Sequence, residues 1–310
     1  MQARPKEQQK QFMKNRHTIF TATVVALSCL AVSLSAQAAC QEGCLGNENT
    51  VLGDFALLNS TCGANTAIGS NALFSNTTGS NNTAIGFVAL IRNTTGGGNI
   101  ATRVGALEFN TIGNANTATG SDALNNNITG NENTANGGGA LYLNTSGSYN
   151  TVDGFEALQY NNADNNTTTG FDALYSNTTG TQNTASGVGA LYSNQTGNYN
   201  TATGLSALHS NTNGNSNTVD GINALFNNRT GTLNVALGDR AGLNLATGSN
   251  NIVIGAGVLG AAGDANTIRI GKSGTQQRTF VAGIYGKTAN GGGRRLHQLQ
   301  WPTRHGSVLR

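Results

Sequence analysis

Four sets of residues have types and spacings that could support chemistry. Gly255-Ala-Gly257-Val-Leu-Gly260 follows Asn-Ile-Val-Ile and has the glycine spacing of a loop that cradles a dinucleotide pyrophosphate. Such a loop also needs a following helix and an acid about 20 residues on, and the sequence offers neither. Asp153, Asp220 and Asp239 could hold cations, but they are sporadic and fit no calcium-loop pattern, so they read as solvated corners. His209 is the one imidazole between residues 49 and 250, with no paired nucleophile or base, and reads as a surface group. Cys40, Cys44 and Cys62 remain once Cys29 leaves with an export signal. Cys40 and Cys44 could bridge, leaving Cys62 free or paired between chains; with no histidine nearby a metal site is disfavoured. No catalytic, cofactor-binding or metal residue is therefore assigned, and no enzymatic activity is expected.

What positions all these residues is a repeat. Gly255 is simply its fifth position. The unit reads Asn-Thr-Ala-x-Gly-x-x-Ala-Leu-x-x-Asn-x-Thr-Gly-x-x, with its opening Asn at 49, 65, 82, 99, 116, 133, 150, 166, 183, 200, 217, 234 and 251. The spacing is 17 residues except for two steps of 16, at 49 to 65 and 150 to 166. We number these copies as coils 1 to 13. A fixed short period marks a stacked architecture. Position 3 is Ala or Val apart from Thr168, and positions 8 and 9 are almost always Ala-Leu. Position 5 is Gly except at Arg103, and position 15 is Gly wherever the coil is full, with Asp164 read there in shortened coil 7. Position 4 ranges from Leu52 and Ile68 to Thr119, Asn136, Asp153 and Asp220, and so mostly faces water in the middle coils.

This pattern predicts an all-β chain: a repetitive parallel β-solenoid or β-roll with 17-residue coils over 49–265, a β segment over 266–286 and an irregular tail over 287–310. Asn-Thr-Ala-x is a short strand, and Gly ends it where a side chain would obstruct the turn. Ala-Leu returns along a second face, either as a bent strand or as one helical turn. Stacking would align the asparagines in a ladder of side-chain amides. Each coil offers only one regular Leu and two Ala to a core, so association of several chains is the expected remedy for so thin an interior.

Composition narrows the function. Charged residues make up 10% of the chain, well under the ordinary quarter. The overall +3 comes from the ends; coils 49–250 hold seven Asp, three Glu, four Arg and no Lys, a net −6 that disfavours nucleic acid. Lys14 and Arg16 precede an apolar run from Ile19 to about Leu34, and Ala36-Gln-Ala38 supplies a cleavage site. Residues 1–38 thus read as an export signal, with Met13 the more natural start and 39–48 a short lead-in. The run is short for a membrane span, and none is expected after signal removal.

Asn65-Thr-Ala-Ile-Gly69 and Asn82-Thr-Ala-Ile-Gly86 resemble the head repeats of trimeric autotransporter adhesins. That resemblance, covering roughly 49–271, implies a left-handed roll of three intertwined chains on a bacterial surface that binds host matrix or other cells. Two features depart from it: the unit is longer, and the aliphatic residue before Gly is lost from Thr102 through Asp220. Asn266-Thr-Ile-Arg-Ile-Gly271 through Thr279-Phe-Val-Ala-Gly-Ile-Tyr-Gly286 is similar to segments preceding the endosialidase-type chaperone domain of phage tail fibres. A tail-fibre-like chain truncated before that domain is the corresponding expectation. Residues from Arg294 to Val308, with one choice of codons, read one base out of phase as Val-Ala-Tyr-Ile-Asn-Ser-Asn-Gly-Gln-Leu-Gly-Thr-Val-Leu. The tail is accordingly expected to be a frameshift product, and the gene's own codons decide it.

The resulting expectation is an exported bacterial fibre or adhesin-like homotrimer, at the cell surface or outside it, attaching to a protein matrix or glycan. The variable positions 6, 7, 10 and 11 would carry the contact. The alternative is an ice-binding or glycan-binding solenoid. Thr117, Thr134, Thr151, Thr167, Thr184, Thr201 and Thr218 would stack at position 2, with Thr at position 4 only at 102, 119, 169 and 203.

Overall fold

A computed structural model describes residues 48–61 and 63–276. The solenoid lies within the unit Met1–Lys272; a second unit begins at Ser273. The expected export signal, Cys40, Cys44, Cys62 and the chain from 277 onward fall outside the described residues.

The protein is an all-β solenoid of about thirteen turns. Each of the thirteen coils contributes one three-residue strand, from β1 (Thr50–Leu52) and β2 (Thr66–Ile68) to β13 (Ile252–Ile254), and β14 (Ile268–Ile270) follows the last coil. They form one parallel fourteen-stranded sheet in strict chain order. Register matches the repeat, so that Thr201, Ala202 and Thr203 lie beside Thr218, Val219 and Asp220. At about 4.8 Å between neighbours, the sheet runs on the order of 60 Å.

Strand alternation sorts the columns. Position 3 points in: Ala185 and Ala202 are at most 1% exposed. Positions 2 and 4 point out, and position 4 does so even where it is aliphatic, as at Leu52, Ile85 and Leu237. The glycines of position 5 adopt φ between +122° and +155°. A Cβ on Gly187 would lie 2.5 Å from the carbonyl oxygen of Gly204 in the next coil. Glycine is needed there both for conformation and for the close approach of stacked backbones.

The Ala-Leu segment is neither a strand nor a helical turn. Ala190 and Asn194 donate their backbone N–H groups to Gly187 and Leu191 within the coil, while Leu191 donates to Ala207 of the next coil at 3.0 Å. In coils 1 to 11 every Leu of position 9 is left-handed, with φ from +49° to +56°, and positions 7 and 17 are left-handed as well. For a bulky L-residue this conformation is costly. It persists because the turn buries Ala and Leu side by side, both at 0% exposure in coil after coil. The stacked position-3, position-8 and position-9 side chains form one continuous core.

Two amide ladders flank that core. The opening asparagines form the expected one, and the position-12 asparagines form a second, running through Asn76, Asn93, Asn110 and Asn127 at Nδ2–Oδ1 separations of 2.7–2.8 Å. From Asn65 and Asn76 onward both columns are buried, at most 1% exposed. The columns at positions 1, 3, 8, 9 and 12 are thus sealed within a single chain, whereas the position-2 threonines and the variable columns face outward.

Two local departures refine the sequence reading. In coil 7, Ala163, not Asp164, occupies the Gly position: Asn150 and Asn161 both donate Nδ2 to its carbonyl. Asp164 stands one place later and accepts the N–H of Ser148. The missing residue therefore lies between Asn161 and Ala163, in the corner. In coil 12 the position-9 Leu is replaced by Gly242 and the position-12 Asn by Leu245, whose fully buried side chain fills the vacated core. A Cβ at Gly242 would come within 2.8 Å of Leu225 and 3.1 Å of Leu245.

Candidate functional site

Gly255 and Gly257 serve the solenoid corner. Gly255 follows β13 with φ +126° and no helix succeeds it among the described residues, so the dinucleotide reading has no structural support. Asp153 accepts from Asn136 Nδ2 at 3.0 Å, and Asp239 pairs with Arg240 at 3.0 Å. Among the described residues, no group of three His, Cys, Asp or Glu side chains is placed to hold a metal.

His209 is not the isolated surface group that the sequence suggests. It is half-buried in a column of rings at position 10. Tyr175, Tyr192, His209 and Phe226 stack with centroids 5.1, 5.1 and 4.8 Å apart and interplanar angles of 1°, 6° and 14°. Tyr160 meets Tyr175 edge-on at 5.2 Å. Ring separation here follows from coil spacing, which lies in the range for aromatic stacking. Burial pushes the imidazole pKa below its ordinary value, and Nδ1 has no hydrogen-bond partner. Only reading the variable residues down the stack, rather than along the chain, could have found this array.

Two further outward columns frame a candidate binding surface. On the strand face the position-2 threonines project from coil to coil, Thr134 through Thr218 all exposed. At position 6, Phe155, Phe171, Val188, Leu205 and Ile222 form an uninterrupted apolar ridge, each 47–51% exposed. It spans roughly 19 Å at one side chain per coil. Phe155 and Phe171 stack at 5.8 Å. Contiguous exposed apolar surface of this kind is a feature of contact sites.

The ridge stops at coil 6, where positions 6 and 7 are Gly138 and Gly139. Their missing side chains leave a notch of about 340 Å³. Phe155 and Tyr142 wall it, Asp122 and Glu156 border it, and Ser121 and Gln159 complete the rim. The Phe155 ring lies 3.3 Å from where a Cβ of Gly138 would be. Phe171 covers its other face.

No protein-family model matches the chain, and no curated protein matches it. No described helix is long and apolar enough to cross a membrane.

Proposed function

We propose that the protein is an exported, adhesin-like fibre segment that attaches to a surface through the outward columns of its solenoid, without catalysis. One observation carries this reading. The regular Asn, Ala and Leu columns are consumed by the interior, whereas the position-2 threonines and the variable residues form parallel outward arrays at a fixed spacing of about 4.8 Å over the length of the sheet. A surface of this kind makes many weak, identical contacts, and avidity rather than a single deep site supplies the strength. The exposed position-6 ridge gives parallel chains something to bury, which supports association into a homotrimer at a bacterial surface.

The test is attachment and mass together. Bacteria displaying the full chain should adhere to matrix-coated or glycan-coated surfaces better than the same strain without it. The purified chain should scatter light as a β-rich trimer. Equal adhesion with and without the protein would overturn the attachment role, and a monomer would remove the trimer.

The threonine columns favour a second reading, an ice-binding face, because hydroxyls on a parallel sheet form a regular outward lattice. Asp153 and Asp220, both exposed, interrupt its second column. A thermal hysteresis measurement separates the two: a freezing-point gap would favour ice, and its absence would leave attachment.

A further inference from the structure

Among the described residues four dipeptides pair Asn or Asp with a following glycine: Asn136-Gly137, Asp153-Gly154, Asn213-Gly214 and Asp220-Gly221. Such a pair can close on itself. The glycine nitrogen, with no Cβ beside it to obstruct the approach, attacks the side-chain Cγ of the residue before it and forms a cyclic imide. The glycine N–H and the side-chain carbonyl group must both be free for this.

Three of the pairs straddle positions 4 and 5, where the sheet ties them up. Gly137, Gly154 and Gly221 donate their N–H groups to Thr119, Asn136 and Thr203 of the preceding coil at 2.8–2.9 Å. Asn136 is exposed, yet its Nδ2 donates to Asp153 Oδ1 at 3.0 Å. Closing an imide there would break the strand ladder.

Asn213-Gly214 straddles positions 14 and 15 instead, in the corner. Asn213 is exposed and its carboxamide makes no hydrogen bond. The Gly214 N–H makes none either, whereas its equivalents in coils 2, 3 and 8 reach the next coil at 3.3–3.4 Å. Asn215 Nδ2 donates to the Asn213 carbonyl at 3.0 Å, which withdraws electron density from that amide and makes the Gly214 N–H more acidic. The second amide ladder also lapses at this level. Asn228 folds back on Gly231, donating Nδ2 at 3.1 Å and accepting its N–H at 3.2 Å, and the buried Asn211 Oδ1 is left without a partner.

We propose that Asn213 is a self-modification site, at which the folded chain deamidates while Asn136 is protected. The proposal is independent of the attachment reading. Hydroxide takes the Gly214 N–H proton, the nitrogen bonds to Asn213 Cγ, and the Cγ–Nδ2 bond breaks as ammonia leaves with a proton from water. Water then opens the imide, at Cγ to give aspartate or at the former backbone carbonyl to give isoaspartate; nothing is oxidised or reduced. Isoaspartate routes the chain through the side chain and adds one backbone atom. The corner absorbs it, since coil 7 lacks a whole residue in the same corner and keeps both ladders. Each event also places a negative charge on the outer face of the corner.

The experiment incubates the full chain at mildly alkaline pH, folded and in urea. Chymotryptic peptide mapping by fragmentation mass spectrometry follows each site, and isoaspartyl methyltransferase labelling reports isoaspartate. In the folded chain Asn213 should convert at least about tenfold faster than Asn136, whose reaction waits on local opening of the sheet. In urea the two rates should converge. Asn213→Thr supplies the residue that Thr196 and Thr230 provide in the neighbouring coils, and should remove the folded-state signal from residues 48–276. Far-UV circular dichroism should not change as Asn213 converts. Equal folded-state rates at Asn213 and Asn136 would overturn the proposal, as would an Asn213 that reacts only in urea. Loss of the β signal in step with conversion would overturn the claim that the corner absorbs the added atom.

Discussion

The carboxamide oxygen of Asn200 accepts two hydrogen bonds from Asn217, one from its backbone N–H and one from Nδ2, both at 3.0 Å. Asn200 makes the same pair of bonds to Asn183, at 3.0 and 3.2 Å, and its Nδ2 also reaches the Gly214 carbonyl at 2.9 Å. Both lone pairs and both amide hydrogens are therefore used, with the residue at 0% exposure. No other side chain of this length both donates and accepts in this way.

Replacing Asn200 with Asp removes the two donors and places an acceptor, or a charge, opposite the acceptors Asn183 Oδ1 and Gly214 O. A loss of at least about 3 kcal/mol is expected. Because each coil touches only its neighbours, native-state hydrogen exchange should quicken most in coils 9 to 11 and least in coils 2 and 3. Uniform acceleration along the rod would contradict nearest-neighbour stacking.

Arg103 stands where every other coil has Gly, at φ +97°. An L-residue held there stores on the order of 1–3 kcal/mol, against which the added chain entropy of glycine costs about 0.5–1 kcal/mol. Arg103→Gly should stabilise the protein by about 1 kcal/mol, read as a higher urea midpoint. An unchanged or lower midpoint would show that the arginine side chain compensates for its backbone.

Coil 12 predicts a coupled pair. Leu245→Asn alone leaves a void beside Gly242 and should cost about 3 kcal/mol. Gly242→Leu alone forces a side chain against Leu225 and Leu245 and should also destabilise. The double variant restores the repeat unit and should recover most of the loss, a non-additivity that a double-mutant cycle measures. Additive losses would mean that the two positions do not share the same space.

His209 gives a pH dependence with a definite sign. Its pKa is lowered in the folded protein, whereas the unfolded chain titrates near the ordinary value of about 6.5. Between the folded pKa and about 6.5 the unfolded state binds more protons, so stability falls as pH is lowered through that window and levels off below it. His209→Phe extends the ring column and should remove this portion of the acid sensitivity. Parallel stability-versus-pH curves for the two proteins would exclude His209 as its source.

Much of this architecture was legible before any coordinates. The 17-residue period placed each strand on Asn-Thr-Ala-x, put Ala202 and Leu208 inside, turned Thr203 outward and anticipated the ladder through Asn200. What the sequence hid was conformation and vertical order. Local preference argues against a left-handed Leu, yet ladder bonds such as Leu191 N–H to Ala207 O select it, so the Ala-Leu segment resolved into a turn. Counting from the opening Asn put Asp164 in the Gly position, because nothing in the sequence says where a shortened coil lost its residue. The stack through His209 escaped notice for another reason: its members share no residue type, only a height in the unit. The Gly138–Gly139 notch likewise becomes meaningful only against the bulky residues that occupy position 6 in coils 7 to 11.

The shortened coils show where the rod tolerates a change of length. In full coils the opening Asn reaches a carbonyl 14 residues ahead, as Asn200 does to Gly214; in coils 7 and 13 it reaches 13 ahead, to Ala163 and Asp264. In coil 7 both amide ladders pass the gap, because Asn177 still donates to Asn161 and Asn166 N–H to Asn150. The corner after position 12 is thus a seam along which residues can be removed without breaking the stack. Peptides grafted into that seam would project from one edge of the rod at heights set by the coil chosen, which makes the solenoid a molecular ruler graduated in steps of about 4.8 Å.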